Sequence, residues 1–565
     1  MADAPEEVDL LVAGAGPAGL TAALIASLEG LDVLLCEKSE QVGGTGATSA
    51  GTLWIPGNTQ GKAAGFDDSA EAAERYLDAL IARPTRRALR TAFLQTGPRA
   101  IDYLVARTDV QFVSCGKHPD YRGNLPGAGV FGRAIVPKPF DGRLLGADFK
   151  RVRPPIAEYM LLGGMMVGKD DIPPLIGRFR STANFAYTAK LFLRYLADRL
   201  KYPRGTRLMM GNALIARLFY SLMKRGVSIR FGAALTDLIG EGGTIRGARL
   251  RLGEREVIVK ARRGVVLATG GFGRNEKFRA AFMPAPVPQD SLTHAGNLGE
   301  GVAIGLRAGG RVVPEQGGRG GLWTPVSRTR RRDGTGGLYP HLSLDRAKPG
   351  LIAVNSAGRR FVNEAVSYHD FVDGMYESHQ SVPSIPAYLI CDATFVQKYG
   401  LGHIHPGTRD AQRFVRDGYV AAGATLQMLA QQIGIAPDAL RDTVARHNGF
   451  ADTGVDLDFG KGETDLNRFN GDPGHRPNPC IGALATPPFY AIAVWPAEIA
   501  MSTGLLTDAD ARVVDAEGRP IPGLYACGND MASIMEGAYP GPGTTLGPAT
   551  VFAYRAVMHA CGKNP

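Results

Sequence analysis

The chain has 565 residues, of which 44% are hydrophobic and 21% are charged. This length allows two or more domains with large buried cores, and the composition excludes general disorder. The formal net charge is +10, and no stretch approaches the ~18 consecutive apolar residues of a membrane-spanning helix.

The first residues and the cysteines predict the cellular compartment. The acidic opening MADAPEE leads directly into an apolar strand, which leaves no room for a signal peptide. The six cysteines lie far apart, and none has the spacing of a zinc site, an iron–sulfur cluster or a redox Cys-x-x-Cys pair. We therefore expect reduced thiols, no metal site and a cytoplasmic protein.

The first predicted unit binds a dinucleotide. VDLLVAGAGPAGLTAALIASLEGLDVLLCEK has the pattern of a strand, a glycine-rich turn, a helix and a second strand that ends at Glu37. Gly14 permits the tight turn, Gly16 lets the backbone approach a pyrophosphate, and Gly19 lets the helix pack on the strand. The amino end of the helix favours phosphate, and Glu37 is placed to bind the adenosine ribose.

Three further segments combine glycines or other small residues with a predicted strand. GGTGATSAGTLW begins with the pair Gly43-Gly44, and RRGVVLATGG is a strand that runs into residues 268–271. Near the carboxyl end, IPGLYACGND is a strand followed by Gly528 and Asn529. This three-part arrangement resembles the FAD flavoproteins of the fumarate reductase and succinate dehydrogenase superfamily.

The resemblance implies an α/β fold in which a Rossmann-like FAD-binding domain carries an inserted α+β substrate-capping domain. The implied FAD-binding domain covers residues 1–275 and 487–565, and the capping domain covers residues 276–486. No histidine stands between Lys38 and Asn58, where covalent-flavin members carry one, so we expect non-covalent FAD. The implied FAD-binding residues are Gly14, Gly16, Ala18, Gly19, Glu37, Lys38, Gly44, Thr45, Ser49, Gly51, Ala268, Thr269, Gly270, Gly528, Asn529 and Leu546.

Three tyrosines stand in motifs that suggest the chemistry. Residues 358–364, GRRFVNE, resemble the GxRFxNE signature of the superfamily, and four residues later Tyr368 occupies the place of the proton-donating arginine of fumarate reductases. A phenol beside apolar surface suits a neutral substrate, whereas an arginine suits a dicarboxylate. Tyr121 stands in KHPDYRGNLPG, upstream of Gly132-Arg133, and Tyr539 stands directly before Pro-Gly-Pro-Gly.

Together these motifs resemble the flavin-dependent 3-ketosteroid Δ1-dehydrogenases, over nearly the whole chain. The resemblance implies that Tyr368 is the base that removes a proton from carbon 2 of a 3-ketosteroid, and that Tyr121 hydrogen-bonds to it. Tyr539 and the N–H of Gly543 would bind the carbon 3 carbonyl oxygen as an oxyanion hole. A hydride from carbon 1 would pass to FAD, which an external electron acceptor, a quinone or another compound, would reoxidise.

Departures from the family pattern keep alternatives open. Ser367-Tyr368-His369 replaces Pro-Tyr-Asp, and Arg122 replaces a tyrosine, which affects substrate preference; we expect His369 to be exposed. The first alternative is a Δ4-ketosteroid dehydrogenase or another enone-forming or enone-reducing flavoenzyme. The second is a non-catalytic, membrane-associated flavoprotein.

The charge is concentrated in residues 150–207, which hold 12 basic and 4 acidic side chains, a net charge of +8. We predict an insertion there in the first part of the FAD-binding domain. Two interpretations of its helix stay open: an interfacial helix on anionic lipid at the inner face of the cell membrane, and a packed helix or oligomer contact. Nothing in it resembles a nucleic-acid-reading element, so no nucleic acid is expected. The apolar side chains at helical spacing are Phe185, Ala189, Phe192, Leu193, Leu196 and Leu200.

Overall fold

The computed structural model describes residues 6–82, 84–331, 333–342 and 345–565, with the backbone alone at residue 169. Within these ranges the strands β1 to β22 are Glu6–Ala13, Val33–Glu37, Leu53–Trp54, Phe112–Ser114, Ala134–Pro137, Phe140–Asp141, Met160–Leu161, Met165–Met166, Arg207–Leu208, Ser228–Phe231, Ala233–Glu241, Thr244–Leu252, Arg255–Leu267, Asp290–Ser291, Gly321–Arg330, Gly336–Pro340, Leu351–Val354, Ala387–Cys391, Ala421–Gly423, Phe489–Met501, Arg512–Val514 and Pro520–Ala526. The helices α1 to α16 are Pro17–Leu28, Thr59–Ala63, Ala70–Leu80, Arg87–Arg107, Ile172–Ile176, Thr182–Arg199, Met210–Lys224, Glu276–Phe282, Glu300–Arg307, Tyr368–His379, Ala393–Tyr399, Gln412–Arg416, Leu426–Gln432, Pro437–Thr453, Asp465–Asn470 and Leu546–Ala560.

The larger sheet has eight strands in its described part and contains the predicted dinucleotide unit. Its main order is β10-β2-β1-β13-β12-β11, with β22 beside β13 and β21 beside β22. Strand β1 runs parallel to β2 and β13, and β22 runs parallel to β13. The buried apolar run of β1 is typical of a strand covered on both faces, and α1 and α16 pack against each other beside it.

The turn between β1 and α1 has the geometry that its glycines require. Gly14 has φ +100°, and a Cβ atom there would lie 2.4 Å from the carbonyl oxygen of Ala268. At Gly19 a Cβ atom would lie 1.8 Å from the carbonyl oxygen of Gly14, so the helix can pack this closely only without a side chain. These contacts confirm the predicted strand, turn and helix. They place the amino end of α1 next to the carboxyl end of β1.

The smaller sheet has seven strands in its described part and a mixed character. Its main order is β16-β15-β20-β18-β17, with β14 and β19 also paired to β20. The central strand β20 pairs antiparallel with β15 and β18. It belongs to this sheet although the sequence places residues 487–565 in the second part of the FAD-binding domain, whereas β22 and α16 return to the larger sheet. The mixed α/β architecture is confirmed, and the domain limits stay a prediction.

The basic insertion contains the predicted helix. Helix α6 begins after Ser181, whose side chain accepts a hydrogen bond from the N–H of Asn184. Of its apolar stripe, Phe185, Leu193 and Leu196 are exposed, and Leu200, just beyond the helix, is 86% exposed. In the part of the chain that the structure describes, no helix combines the length and the hydropathy needed to cross a membrane.

Candidate active site

A cavity of about 1030 Å³ is lined by residues from both sheets. The turn after β1, the 268–270 segment and the start of α16 contribute one set of lining residues. Tyr121, Tyr368 and Tyr539 contribute another. The structure therefore brings the glycine-rich motifs and the three tyrosine motifs of the sequence to one site.

All the sequence-predicted FAD-binding residues except Gly19 line this cavity. Gly19 lies behind the turn, where its missing side chain permits the contact with Gly14. Glu37 does not project freely at the end of β2, because its two carboxylate oxygens accept hydrogen bonds from the N–H groups of Ala15 and Ser39 at 2.8 and 2.9 Å. The carboxylate thus links the end of β2 to the glycine-rich turn.

The start of α1 fits a bound diphosphate. Gly16 is the N-cap and supplies no side-chain acceptor for the first-turn N–H groups, so these donors suit an anion. A Cβ atom at Gly16 would meet nothing within 4 Å, which leaves an open approach to the backbone from the cavity. These features agree with the dinucleotide that the sequence predicts.

A loop that sequence reasoning missed covers the Gly44-Thr45 turn. The Thr45 hydroxyl accepts hydrogen bonds from the N–H of His294 at 2.8 Å and from the Asn297 side chain at 3.1 Å. Burial, together with the charge of Arg153, lowers the pKa of His294 to about 4, so its imidazole is neutral at neutral pH. The stretch HAGNLG, residues 294–299 directly before α9, is the sequence signal that points to this loop.

The tyrosine cluster joins three distant segments of the chain. The hydroxyl oxygens of Tyr121 and Tyr368 lie 3.1 Å apart, and those of Tyr368 and Tyr539 lie 2.9 Å apart. The rings of Tyr121 and Tyr539 stack at 5.4 Å, and the Tyr368 ring stands edge-on to both. The phenols form a continuous hydrogen-bonded chain at the cavity wall.

Each phenol is held by its own local structure. Tyr368 is the first residue of α10, which Ser367 caps by accepting a hydrogen bond from the N–H of Asp370 at 3.0 Å. Tyr121 lies between β4 and β5, and the adjacent Asp120 carboxylate accepts from the Trp54 indole at 2.8 Å. Tyr539 lies in residues 536–543, which we name the 536–543 turn. The geometry of the cluster therefore depends on a helix cap, a buried carboxylate and a turn.

The phenols are neutral in the resting protein. Burial raises the pKa values of Tyr121, Tyr368 and Tyr539 well above the usual value of a tyrosine. The buried guanidinium of Arg346 acts in the opposite direction on the pKa of Tyr368, because a nearby positive charge favours a phenolate. Apolar side chains pack around the cluster, namely Leu322, Leu466, Ile499 and Ala500.

Gly543 lies at the cavity with a conformation that only glycine adopts without strain. Its φ is +95°, and a Cβ atom would lie 2.5 Å from the carbonyl oxygen of Thr52. Among the described residues, no hydrogen-bond acceptor takes the Gly543 N–H. This amide is therefore a donor that a ligand oxygen can use.

The predicted exposure of His369 is wrong. The residue is 1% exposed, because α10 begins at Tyr368 and turns the next side chain toward β15 and the 536–543 turn. Arg122 is half exposed and pairs with Asp370 at 2.8 Å. Within the described ranges, no group of three or more His, Cys, Asp or Glu side chains is arranged to hold a metal ion.

Comparisons with known proteins agree with this architecture. The FAD binding domain family matches residues 9–546. The chain is 40% identical to the 4-oxocyclohex-2-ene-1-carboxylate 5-dehydrogenase of Sinomonas cyclohexanicum, over 97% of this chain and 92% of that protein. It is 33% identical to the 3-oxosteroid 1-dehydrogenase of Mycobacterium tuberculosis, over 98% of both chains.

A solved structure is similar over the whole molecule. The crystal structure of 3-ketosteroid delta1-dehydrogenase from Sterolibacterium denitrificans, in complex with 1,4-androstadiene-3,17-dione, matches with a TM-score of 0.90 and 34% identity. The match covers 99% of this chain and 100% of that chain. The chain therefore belongs to the FAD binding domain family, and it is an FAD-dependent oxidoreductase.

Proposed function

We propose that this protein dehydrogenates 3-ketosteroids between carbons 1 and 2. The observation that supports the proposal most strongly is the 2.9 Å approach of the Tyr368 and Tyr539 hydroxyls, from positions 171 residues apart, in a cavity shared with Gly543. The phenols and the apolar side chains packed around them suit a ketone. The similarity to two steroid dehydrogenases supports the same assignment.

The mechanism assigns one role to each residue of the cluster. The Tyr539 hydroxyl and the Gly543 N–H bind the carbon 3 oxygen and stabilise the negative charge that develops there. Tyr368, as the phenolate, takes the proton from carbon 2 and becomes the phenol. Tyr121 donates a hydrogen bond to the Tyr368 oxygen, which stabilises the phenolate. The hydride from carbon 1 would pass to FAD when the cofactor is bound. The carbon 1 to carbon 2 double bond forms as the proton and the hydride depart.

We assign the FAD site to the glycine-rich half of the cavity, with non-covalent binding. The amino end of α1 at Gly16 would hold the pyrophosphate, and Glu37 would face the adenosine ribose. Thr45, Thr269 and Asn529 also line this half. An external electron acceptor, a quinone or another compound, is needed to complete the cycle.

A monocyclic keto acid is the second candidate substrate. It is favoured by the 40% identity to an enzyme named for 4-oxocyclohex-2-ene-1-carboxylate. Such a compound has a ring ketone with hydrogen on the adjacent carbon, so the same base and oxyanion donors could serve it. The two candidates differ in ring number and in the carboxylate.

We also propose that the insertion contacts a lipid surface at the inner face of the cell membrane. Ile172, Leu175 and Ile176 line the cavity, and Ile176, Phe179 and Phe185 of the same region are exposed. These side chains belong to the basic insertion, so anionic lipid would attract this part of the protein. An apolar steroid could then enter from the bilayer side.

One anaerobic experiment tests the reaction and the substrate together. The protein is mixed with 4-androstene-3,17-dione or with 4-oxocyclohex-2-ene-1-carboxylate, and the yellow flavin absorbance is followed. Bleaching by the steroid alone supports the proposal, and bleaching by the keto acid alone supports the second candidate. Absorbance that stays unchanged with both would contradict the proposal and would leave a non-catalytic flavoprotein or a Δ4-dehydrogenase, for which this steroid already carries the product double bond.

A second substrate separates the positions of the new double bond. The compound 5α-androstane-3,17-dione offers both the carbon 1 to carbon 2 bond and the carbon 4 to carbon 5 bond. Proton NMR distinguishes the products, because the first gives two coupled vinyl protons and the second gives one. A single vinyl proton would overturn the proposal in favour of a Δ4-dehydrogenase.

A further inference from the structure

The imidazole of His369 connects three separate parts of the active site. Its Nε2 lies 3.0 Å from the carbonyl oxygen of Gly537, in the 536–543 turn. Its Nδ1 accepts a hydrogen bond from the N–H of Trp323, on β15, at 3.2 Å. Its backbone belongs to the first turn of α10, directly after Tyr368. One buried ring thus contacts the helix of the proposed base and the turn of the proposed oxyanion donor.

The two hydrogen bonds determine the state of the ring. The Trp323 N–H is a donor, so Nδ1 must present its lone pair. The Gly537 carbonyl is an acceptor, so Nε2 must carry the proton. His369 is therefore a neutral imidazole with its hydrogen on Nε2. A second proton on Nδ1 would point at the Trp323 N–H and break that contact.

The Gly537 contact matters because few hydrogen bonds join α10 to the 536–543 turn. Among those between described residues, one joins the Tyr368 and Tyr539 hydroxyls and the other joins His369 to Gly537. The Tyr368 hydroxyl donates the first bond, so that bond changes when Tyr368 loses its proton to act as the base. The bond from His369 to Gly537 involves neither the substrate nor the transferred proton, so it stays intact during the reaction.

The surroundings of the ring hold it in place. The His369 ring lies 5.5 Å from the Tyr539 ring, centroid to centroid. Gly537 has φ +84°, and its N–H donates to the Ser502 hydroxyl at 2.9 Å. Its carbonyl oxygen accepts from His369, so both polar groups of the Gly537 backbone are held by hydrogen bonds. The Asp373 carboxylate lies 3.7 Å from Nε2, and Arg319 lies 3.9 Å from Asp373.

We propose that His369 is a positioning residue that keeps the Tyr539 hydroxyl at its working distance from Tyr368 through the hydrogen bond to Gly537. This inference rests on the proposed function, because it assumes that these two phenols act on one substrate. A displacement of about 1 Å in a catalytic group can cost on the order of 100-fold in rate. The ring itself contacts no reacting atom in this assignment.

Two substitutions each keep one hydrogen bond of the His369 ring and remove the other. His369→Gln places an amide N–H near the position of Nε2, which keeps the donor for Gly537 and loses the acceptor for Trp323. His369→Asn places an amide oxygen near the position of Nδ1, which keeps the acceptor for Trp323 and loses the donor for Gly537. If the bond to Gly537 positions Tyr539, His369→Asn lowers kcat by about 100-fold, whereas His369→Gln stays within about 10-fold.

The measurements separate positioning from general structural damage. For each holoenzyme we would record kcat, KM, FAD content, thermal midpoint and the exchange of the carbon 2 protons of the steroid with D2O. We expect His369→Asn to lose kcat and exchange in parallel, with KM and FAD content near the parent values. His379→Gln, at the other end of α10, is the matched control and should change none of these quantities.

The outcomes are distinguishable from a failure of the proposed function. Parent-like kcat and exchange in His369→Asn would overturn the inference, and so would equal losses in His369→Asn and His369→Gln. Tyr368→Phe and Tyr539→Phe are measured in the same series. If these two also keep the parent rate, the proposed function fails; if they lose it while His369→Asn does not, only the positioning role fails.

Discussion

The backbone N–H of Tyr121 donates to the carbonyl oxygen of Pro540 at 2.8 Å. The same carbonyl oxygen accepts a hydrogen bond from the Tyr76 hydroxyl at 2.7 Å. The loop between β4 and β5 is thus attached to the 536–543 turn by its backbone, and not only by the contact of the phenols. This attachment explains how residues 418 positions apart keep their rings stacked, and several consequences can be measured.

Replacing Tyr368 by phenylalanine should abolish most turnover. The substitution removes the hydroxyl that takes the carbon 2 proton, and general bases typically contribute about 100- to 10,000-fold in rate. FAD content and steroid affinity should stay near the parent values, because the ring remains. Tyr388→Phe, in β18 and outside the cavity, is the control. Steady-state kinetics that show a fast Tyr368→Phe enzyme would remove Tyr368 from the role of base.

Replacing Tyr539 by phenylalanine should lower kcat by about 100- to 1000-fold, since one oxyanion donor is lost. The loss should fall on kcat and not on KM, because the charge on the oxygen develops only during the reaction. Pre-steady-state flavin reduction measures this directly. A rise in KM at constant kcat would mean that Tyr539 binds the ground state only.

Gly543→Ala tests the second donor and the backbone. A Cβ atom would lie 2.5 Å from the carbonyl oxygen of Thr52, and the residue has φ +95°. We expect a stability loss of about 1–3 kcal/mol together with reduced turnover, measured by denaturant unfolding and kinetics. Gly562→Ala is the control, because it also has positive φ but no atom within 4 Å of its Cβ position. Equal effects in the two variants would argue against a special role of the close contact.

The rate should rise with pH. Burial raises the pKa of Tyr368 well above its usual value, so the phenol is protonated at neutral pH. Below the pKa, each pH unit increases the phenolate fraction about tenfold, and kcat/KM should rise in proportion from about pH 7 to about pH 9. The residual activity of Tyr368→Phe should lack this dependence. A parent profile that is flat over the same range would contradict a phenolate base.

Asp120→Asn should destabilise the loop that carries Tyr121. The Asp120 carboxylate accepts from Arg133 at 2.6 Å and from the N–H of Gly129 at 2.9 Å, and all but 1% of its side chain is buried. Removing one partner of a buried ion pair typically costs about 3–5 kcal/mol. Denaturant unfolding measures the loss. Asp417→Asn, at the end of α12, is the comparison variant and should be close to neutral.

Substitutions on the insertion test the proposed lipid contact. Leu193→Glu and Leu196→Glu place charge on the exposed face of α6, so co-sedimentation with anionic vesicles should fall. Turnover of a soluble ketone should be unchanged, because neither residue lines the cavity. Leu457→Glu is the control, since Leu457 is 77% exposed elsewhere. Vesicle binding that survives both substitutions would favour the packed-helix or oligomer interpretation.

Local patterns carried much of the information about the nucleotide end. Close backbone contacts require glycine at Gly14 and Gly19, and the spacing of these two residues with Gly16 predicts the turn. The helix at Thr182–Arg199 follows from the periodicity of its apolar residues. The tyrosine motifs were recognisable because they resemble motifs of the flavin-dependent 3-ketosteroid Δ1-dehydrogenases.

The tertiary structure alone decided what surrounds those motifs. The loop of His294 and Asn297 covers Thr45 across about 250 positions, and no local pattern specifies such a partner. The burial of His369 and the place of β20 in the smaller sheet likewise depend on how distant segments pack. A side chain's neighbours along the chain determine its backbone conformation, but its solvent exposure and its hydrogen-bond partners depend on segments that come together only when the whole chain has folded.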